Sequence, residues 1–459
     1  MNVAGLPAIL NPNGEAGDKT TNTMYIGQKM SQINYGIINV QEDFNYHATL
    51  YQYDTHPFRT ATSGGVPFGS GLNTLSKYDW VDFERIKWDQ CSNASESDCL
   101  TPKGFTFMRV RIDEGVYIDM INLHTDAGTE PGDEVARRSN IQQLYNVQVA
   151  DFINTHSASN AVIVFGDTNS RYTRSDDNIR LFTTQNGLTD AWVQAIGGKA
   201  PAAGADAIVC PEGIPSNINC EVVDKVLYVP ISLVTNSGDA HEDNSATVDH
   251  GHTLTDHNPI RVDFGYTLSS GLRQSDLYGG PHGNWFNDLS SLPSSPKLAS
   301  ITLRGANRLD GFSLALTSGR TFTHGGSGGD AYSLALGSGE YITSVKLCWG
   351  QKDGRTRNFY AQATTNKGKS VQAGKTTGDC ATATAPSGYG VVGTYGQDGD
   401  EVDQLGFIYA QHHPINTLRK NLKQGHLRNI PSDVRASSRR LMSGDHDSIG
   451  MEHCGFISL

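Results

Sequence analysis

The sequence predicts an α/β domain built on a layered sheet, followed by an all-β domain and a polar tail. Three observations carry this. The run Ala161-Val162-Ile163-Val164-Phe165 closes on Gly166-Asp167. Five apolar residues are too few for a comfortable helix and read as a strand buried on both faces, in the middle of a helix-covered sheet. Other strand-like runs before residue 268 alternate with helical patterns. From Gly279 onward Gly, Ser and Thr rise, short alternating strands replace helices, and no helical period returns before the tail. The 459 residues exceed what one core usually fills. The expected division is 1–268, 272–411 and a disordered tail over 412–459.

In chain order, Met1-Asn2-Val3-Ala4-Gly5-Leu6 reads as a first strand and residues 11–22 as a Pro/Gly/Asn/Thr loop. Residues 25–36 read as a helix feeding the strand Ile37-Ile38-Asn39-Val40-Gln41-Glu42. Residues 60–72 are Gly-rich. Lys103-Gly104-Phe105 opens a hairpin whose second strand turns at Asp113-Glu114-Gly115 and runs to His124. Arg109 and Arg111 alternate on its first strand and read as a solvated face. Residues 133–157 read as one long amphipathic helix, with Val135, Ile141, Leu144, Val147, Phe152 and Ile153 at near-helical spacing. Residues 197–220 form an Ala/Gly/Pro insertion without visible chemistry. The tail from His412 lacks an apolar face.

Polar residues recur where these strands meet their loops: Asn2, Glu42, His124, Asp167 with Asn169, Asp224 at the head of Lys225-Val226-Leu227-Tyr228-Val229, and Asp256-His257 before Asn258-Pro259-Ile260. Ligands in open α/β sheets bind beyond the carboxyl ends of strands. Singly, each of these residues reads equally well as a helix cap, a strand-edge charge or a core histidine. Taken together and in this order, the set resembles the deoxyribonuclease-like endonuclease/exonuclease/phosphatase superfamily over about residues 1–265. The pairing of Gly166-Asp167-Thr168-Asn169 with Asp256-His257-Asn258-Pro259-Ile260 is its specific part. The resemblance implies a four-layer α/β sandwich and divalent-metal hydrolysis of phosphate esters. It also implies more strand residues ahead of Met1, so the start reads as trimmed, without a signal peptide.

The second domain resembles the jacalin-like lectin domain in four stretches: Gly279-Gly280-Pro281-His282-Gly283, Ile301-Thr302-Leu303-Arg304-Gly305, Gly339-Glu340-Tyr341-Ile342-Thr343, and Gly399-Asp400-Glu401-Val402-Asp403-Gln404. That resemblance implies a β-prism of three four-stranded sheets. It implies a glycan partner held by Gly280, Gly399, Asp400, Glu401 and Asp403, with Asp400 and Glu401 standing where aromatic residues are frequent. The bland alternative is a prism kept for stability or protein contact.

A phosphodiester resists attack because its oxygens repel hydroxide and its alkoxide leaves poorly; a hard cation answers both problems. Mg²⁺ takes one or two carboxylates and keeps several waters, so Glu42 with the amide of Asn2 suits it, and Asp256 completes or supports that shell. Mn²⁺ and Ca²⁺ are the alternatives. His257 is the natural base, and the resemblance places Asp224 as its orienting acceptor. Asp167 and Asn169 align the nucleophile and bind the phosphoryl oxygen, while His124 donates to developing charge. His250 and His252 invite a zinc reading, but their spacing favours a solvated loop.

Charge and cysteine content narrow the partners. Residues 1–268 hold 17 Lys+Arg against 33 Asp+Glu, which argues against tight binding of long nucleic acid. Cys91 with Cys99 and Cys210 with Cys220 are spaced like short disulfide-closed loops, Cys348 and Cys380 offer a third pair, and Asn93-Ala94-Ser95 is a glycosylation sequon. Both point outside the cell. No run of some 20 apolar residues exists to span a membrane. The expected protein is a secreted phosphodiesterase, with Lys103-Gly104 and Leu75-Ser76 similar to the sphingomyelinase-type branch. Its lectin domain would raise local substrate to about the millimolar range. The rivals are a Mg²⁺-dependent endonuclease and a glycan-binding protein with an inactive enzyme domain.

Overall fold

The computed structural model describes the chain outside residues 8–16, 65–67, 96–97, 143–147, 211–216, 230–236, 243–247, 250–251, 270, 413–453 and 459. The first helix, α1, spans Lys19–Ile33. It starts six residues earlier than its apolar pattern suggests because the Asp18 side chain caps it, accepting from the Thr21 amide at 2.9 Å, and it stops where Asn34 turns left-handed at φ 62°. Then follow β1 (Ile37–Val40), α2 (His47–Tyr53), β2 (Phe58–Arg59), β3 (Asn73–Ser76), β4 (Trp80–Lys87), the hairpin β5 (Gly104–Asp113) and β6 (Val116–His124), α3 (Pro131–Ile141), α4 (Val149–His156) and β7 (Ala161–Asp167). After these come α5 (Leu181–Thr184), β8 (Thr189–Asp190), α6 (Ala191–Ala195), β9 (Asp224–Val229), β10 (Ser237–Glu242), β11 (Val248–Asp249), β12 (His252–Thr253) and β13 (Ile260–Thr267).

The expected helix over 133–157 is two helices. Gln142 leaves helical geometry at φ −148°, ψ 124°, and α4 begins afresh at Val149. Of the residues that suggested one apolar stripe, Val135 faces solvent, and Leu144 and Val147 lie outside the described residues.

A central sheet runs β4-β5-β6-β7-β9-β8, with β6 and β7 parallel and every other pair antiparallel. Facing it are β1-β3-β2 and β10-β13. Three cores separate four layers. Ile26, Met30 and Leu50 of α1 and α2 pack on Ile38, Val40 and Leu75. Ile37, Val262 and Phe264 meet Met108, Met120, Ile163 and Phe165 between the sheets. Phe152 and Ile153 of α4 cover Phe105, Phe107, Ile121 and Val164. The α/β four-layer sandwich expected from the sequence is present.

Beyond residue 271 the chain folds into three sheets around one apolar core. One holds Leu272–Gln274, Tyr278–Gly279, Asn284–Asn287, Tyr389–Asp398 and Val402–Gln411; one holds Leu298–Gly305, Leu309–Leu316, Thr321–Gly325 and Asp330–Ala335; one holds Ile342–Lys352, Arg355–Thr365, Ser370–Gly374 and Asp379–Thr384. This is the expected all-β prism. All three anticipated disulfides form: Cys91–Cys99, Cys210–Cys220 and Cys348–Cys380. The tail, expected to lack structure, contributes Cys454–Ser458 as a backbone strand paired with β13. Among the described residues no helix is long and apolar enough to cross a membrane.

The two folds share a core. Trp285, Leu289, Val392, Tyr395 and Ile408 of the prism belong to the same buried cluster as the inter-sheet residues of the sandwich. The solvated reading of Arg109 fails here. It is fully buried, forks onto Asp119 at 2.8 and 3.0 Å, donates to the His156 carbonyl at 2.8 Å, and lies 3.5 Å from the Trp285 ring centre. A guanidinium enters an interior only with such a planar set of acceptors, and sequence alternation does not reveal them. Arg111 is half exposed yet forks onto Asp276 across the seam at 2.9 Å.

Candidate active site

The site is assembled by strand register. The parallel pairing of β6 and β7 sets His124 beside Asp167, and the antiparallel pairing of β7 and β9 sets Asp167 beside Asp224, so one row across three strands carries all three. Gly166 makes this close approach possible, since a Cβ there would stand 2.2 Å from the Leu123 carbonyl oxygen. Asn2, in a single parallel bridge with Gln41 rather than a full strand, closes the row from the facing sheet. Three of the described non-glycine residues with positive φ cluster here: Ala4 at 47°, Glu42 at 57° and Asn169 at 45°. Backbone held in this region costs of order 1–3 kcal/mol per residue and marks sites where placement outweighs local comfort.

His257 Nδ1 lies 2.7 Å from Asp224 Oδ2, and its Nε2 lies 3.7 Å from Asp167 Oδ2. Asp167 Oδ1 accepts from the Asn169 amide at 2.9 Å, and Asn169 Nδ2 donates to the Thr125 carbonyl at 3.1 Å. His124 Nε2 stands 3.5 Å from Asp167 Oδ2 and 3.2 Å from Lys103 Nζ, while its backbone carbonyl accepts from Trp88 Nε1 at 2.7 Å. Asn2 Nδ2 donates to Glu42 Oε1 at 2.9 Å and to Asp167 Oδ2 at 3.3 Å, and its Oδ1 accepts from the Ala4 amide at 2.9 Å. Asp256 is exposed, and its charge reaches both Glu42 and His257 and raises both.

Burial depresses the imidazolium form of His124, and Lys103 and His257 push the same way, so His124 is neutral. Burial opposes charge on His257 too, but Asp224 and Asp167 outweigh it and raise its affinity for a proton. Burial raises Glu42 despite Lys103 and the Asn2 amide, and it raises Asp167 with help from Asp224. Asp224 is held below the usual carboxylate range: burial acts against this, and His257 overcomes it.

Asp167, buried, and Glu42, half-buried, thus carry charge that their protein partners do not fully compensate, which is the donor chemistry that suits a hard divalent cation. One ligand atom each from Asp167, Asp224 and His257 lies within 4.8 Å of the others. Glu42 is not part of that group; its Oε1 accepts from Asn2 Nδ2 at 2.9 Å.

Asp98 was not singled out in the sequence, and Lys103 was noted only as a hairpin start and, with Gly104, for its similarity to the sphingomyelinase-type branch. Lys103 is buried, ion-paired with Asp98, and close to both His124 and Glu42. The available signal was Gly104, where a Cβ would meet the Ile86 carbonyl, fixing the strand start that aims Lys103 inward. Asp98 comes from the loop closed by Cys91–Cys99. His250, set aside as a zinc ligand, lies outside the described residues.

In the prism the expected sugar residues do come together, as the Gly280 amide donates to the Asp403 carbonyl at 3.1 Å and the Gly399 amide to the Glu401 carbonyl at 3.0 Å. Their acids are not idle. Glu401 takes Arg308 Nε at 2.8 Å with Arg357 and Lys352 nearby, and Asp403, buried, takes Arg357. Asp400 remains exposed.

A two-sheet sandwich with acids and imidazoles gathered at one pole, fused to a β-prism, is the architecture of a phosphoester-hydrolase fold carrying a lectin fold. Residues 18–194 match the endonuclease/exonuclease/phosphatase family 2 model and residues 275–408 the jacalin-like lectin domain model; the chain carries both domains. It is 35% identical over 281 residues to sphingomyelinases of Mycobacterium bovis and Mycobacterium tuberculosis, covering 59% of this chain and 52% of theirs. The chain therefore spans about half the length of these curated relatives. It is also 26% identical over 146 residues to secreted RxLR effector protein 19 of Plasmopara viticola, covering 30% of this chain and 81% of that one. Among solved structures it is similar to Malaysian banana lectin (22% identity, TM-score 0.28, 31% of this chain and 99% of that one). A mannose-specific jacalin-related lectin of Morus nigra is similar too (25%, 0.28, 31% and 96%).

Proposed function

We propose that the chain is a secreted, Mg²⁺-dependent phosphodiesterase acting on a lipid headgroup of the sphingomyelin type, with a prism that binds glycans. The observation that carries this is the row His124–Asp167–Asp224 with His257 held by Asp224. With Nδ1 engaged by Asp224, the Nε2 end of His257 faces Asp167 and is placed to take a proton from an attacking water. Asp167 orients that water, and its own position is fixed by the Asn169 amide. Lys103 and the neutral His124 face the phosphate oxygens, where one cation and one hydrogen-bonding imidazole offset the gathering charge. Glu42 and Asn2 would hold the divalent cation, which when bound neutralises the phosphate and stabilises the leaving alkoxide.

The lipid reading is supported by the similarity to sphingomyelinases and by the acidic balance of residues 1–268, which disfavours long nucleic acid. Three disulfides support secretion.

The test is a panel of sphingomyelin, an inositol-phosphate lipid and plasmid DNA, each with Mg²⁺ and with chelator. Hydrolysis of sphingomyelin that chelation abolishes is the expected result. Turnover indifferent to chelator removes the cation, and an unchanged rate in His257→Ala removes the base. DNA cleavage in preference to lipid replaces the substrate.

A further inference from the structure

Lys225 directly follows Asp224, and the chemistry described above does not use it. Side chains on β9 alternate: Val226 and Tyr228 join the core between the sheets, on the face of Asp224, while Leu227 joins the core under the outer helices. Lys225 shares the face of Leu227 and is buried. Its ammonium therefore sits in an apolar layer, where a charge without partners is strongly disfavoured. Packing alone would be served by an apolar side chain of like length.

The surroundings of Lys225 suit a cation. Nζ lies 4.9 Å from the Tyr172 ring centre and 5.4 Å from that of Trp192, and the two rings stack at 6.3 Å. It donates to the Val222 carbonyl at 2.8 Å and lies 3.9 Å from Glu221 Oε1. Burial lowers its hold on a proton, and Asp190, Glu221 and Asp224 oppose that fall. The same acids grip Tyr172 and its neighbour. Tyr172 Oη donates to Asp190 Oδ2 at 2.9 Å, while Glu221 accepts from the Tyr172 amide and, at 2.9 Å, from Thr173 Oγ1.

This cage joins the two stretches of chain that carry the acids of the site. Residues 167–173 bring Asp167 and Asn169, and residues 221–225 bring Asp224. The Val223 carbonyl ties them again, accepting from the Thr168 amide at 3.1 Å and from its hydroxyl at 2.6 Å. The spacing of Asp167 from Asp224 decides where His257 Nε2 stands, because Asp224 holds Nδ1 at 2.7 Å and Nε2 faces Asp167 at 3.7 Å. A cation beside Glu221, Asp190 and Asp224 offsets the mutual repulsion that would spread these stretches apart.

We propose that Lys225 is a positioning residue for the hydrolytic site: clamped between Tyr172 and Trp192, it sets the separation of Asp224 from Asp167 and through it the placement of His257. The proposal rests on the phosphodiesterase reading for the reaction it serves.

The experiment compares the full native chain with Lys225→Met and Lys225→Arg, each checked for folding by circular dichroism. Hydrolysis of a water-soluble aryl phosphodiester with Mg²⁺ is one readout. The downfield proton spectrum is the other, with the His257 Nδ1 proton assigned by its loss in His257→Ala. Lys225→Met is expected to lower kcat about 10–100-fold with KM within about twofold, since misplacement by about 1 Å weakens the chemical step, and to shift the His257 proton. Lys225→Arg, whose guanidinium stacks on aromatic rings and pairs with carboxylates, is expected to recover kcat to within about fivefold of native and to restore the proton signal. Glu221→Gln keeps an acceptor for the Tyr172 amide but removes the charge that Lys225 faces; it repeats the test where Lys225→Met loses its fold, with the same direction of change expected. Unchanged kcat and an unchanged His257 proton in the folded variant, a change carried by KM alone, or no recovery in Lys225→Arg each overturns the proposal. If the native chain cleaves no phosphodiester while the His257 proton still responds to Lys225→Met, Lys225 keeps its positioning role and the reaction assigned to the site falls.

Discussion

Trp285 is the residue on which the seam between sandwich and prism turns, and Trp285→Ala tests whether the two fold as one. Its ring lies 3.5 Å from the Arg109 guanidinium carbon, its Nε1 donates to the Ala158 carbonyl at 3.0 Å, and it packs edge-on against Tyr395. Truncating a buried Trp costs about 3–5 kcal/mol through lost transfer energy and the cavity left behind. That range already includes about 1 kcal/mol for the orphaned Ala158 carbonyl and about 1–2 for the bare face of Arg109. Arg109 keeps Asp119 and the His156 carbonyl in the variant, so the buried cation is not stranded. Guanidinium unfolding followed by fluorescence and far-ultraviolet circular dichroism should give one coincident transition for the native chain. In Trp285→Ala the transition should move by this amount and separate into two, because the seam no longer transmits the stability of either half. Trp285→Phe should recover more than half of the loss. A cost below about 1 kcal/mol, or two separated transitions in the native chain, would refute the shared core.

Asp224→Asn should lower turnover about 10³–10⁴-fold with little change in the fold, because the amide cannot hold His257 in the required tautomer; initial rates check this, and a loss under tenfold removes Asp224 from its orienting role. Burial opposes charge on His324, yet its bonds to Asp288 and Asp398 push it up to about 9. A raised folded value gives stability that is complete below the unfolded value near 6.5 and lost as pH climbs through about 9, amounting to about 3 kcal/mol. Denaturation midpoints at pH 6 and pH 10 should differ accordingly, and the difference should shrink in His324→Gln. Replacing Cys91 and Cys99 by Ser frees a loop with a sequence separation of 8 and should cost about 2.5 kcal/mol in chemical denaturation.

Much of the site was legible because strand ends are legible. An apolar run that stops on Gly166-Asp167 announces both a buried strand and the pole at which its acid emerges, and the structure puts His124, Asp167 and Asp224 in one row at that pole. The pairings that the sequence concealed are those made at a distance by charged groups. Arg109 sits between apolar Met108 and Val110 as a solvent-facing strand residue would, although β5 is buried on both faces from Gly104 to Val110. Its burial depends on Asp119 from the next strand and Trp285 from a different fold. Lys103 looked like a hairpin start because its partner Asp98 sits inside a disulfide loop with no periodic pattern. The break at Gln142 lay hidden because apolar spacing on either side stays in phase with a helix that the backbone abandons.

The seam also changes how a glycan site would help an enzyme. A flexible tether gives a local concentration averaged over many orientations, which is where the figure of about millimolar comes from. Here Arg111, Tyr117, Asp276 and Leu277 lock the prism against the beginning of β6, whereas His124 ends it. Seven residues of strand at about 3.3 Å each separate Tyr117 from His124, or roughly 23 Å. The prism body thus lies toward the pole away from the catalytic row. A rigid link of this kind does not average: it fixes one separation and one orientation between the two sites and forbids the rest.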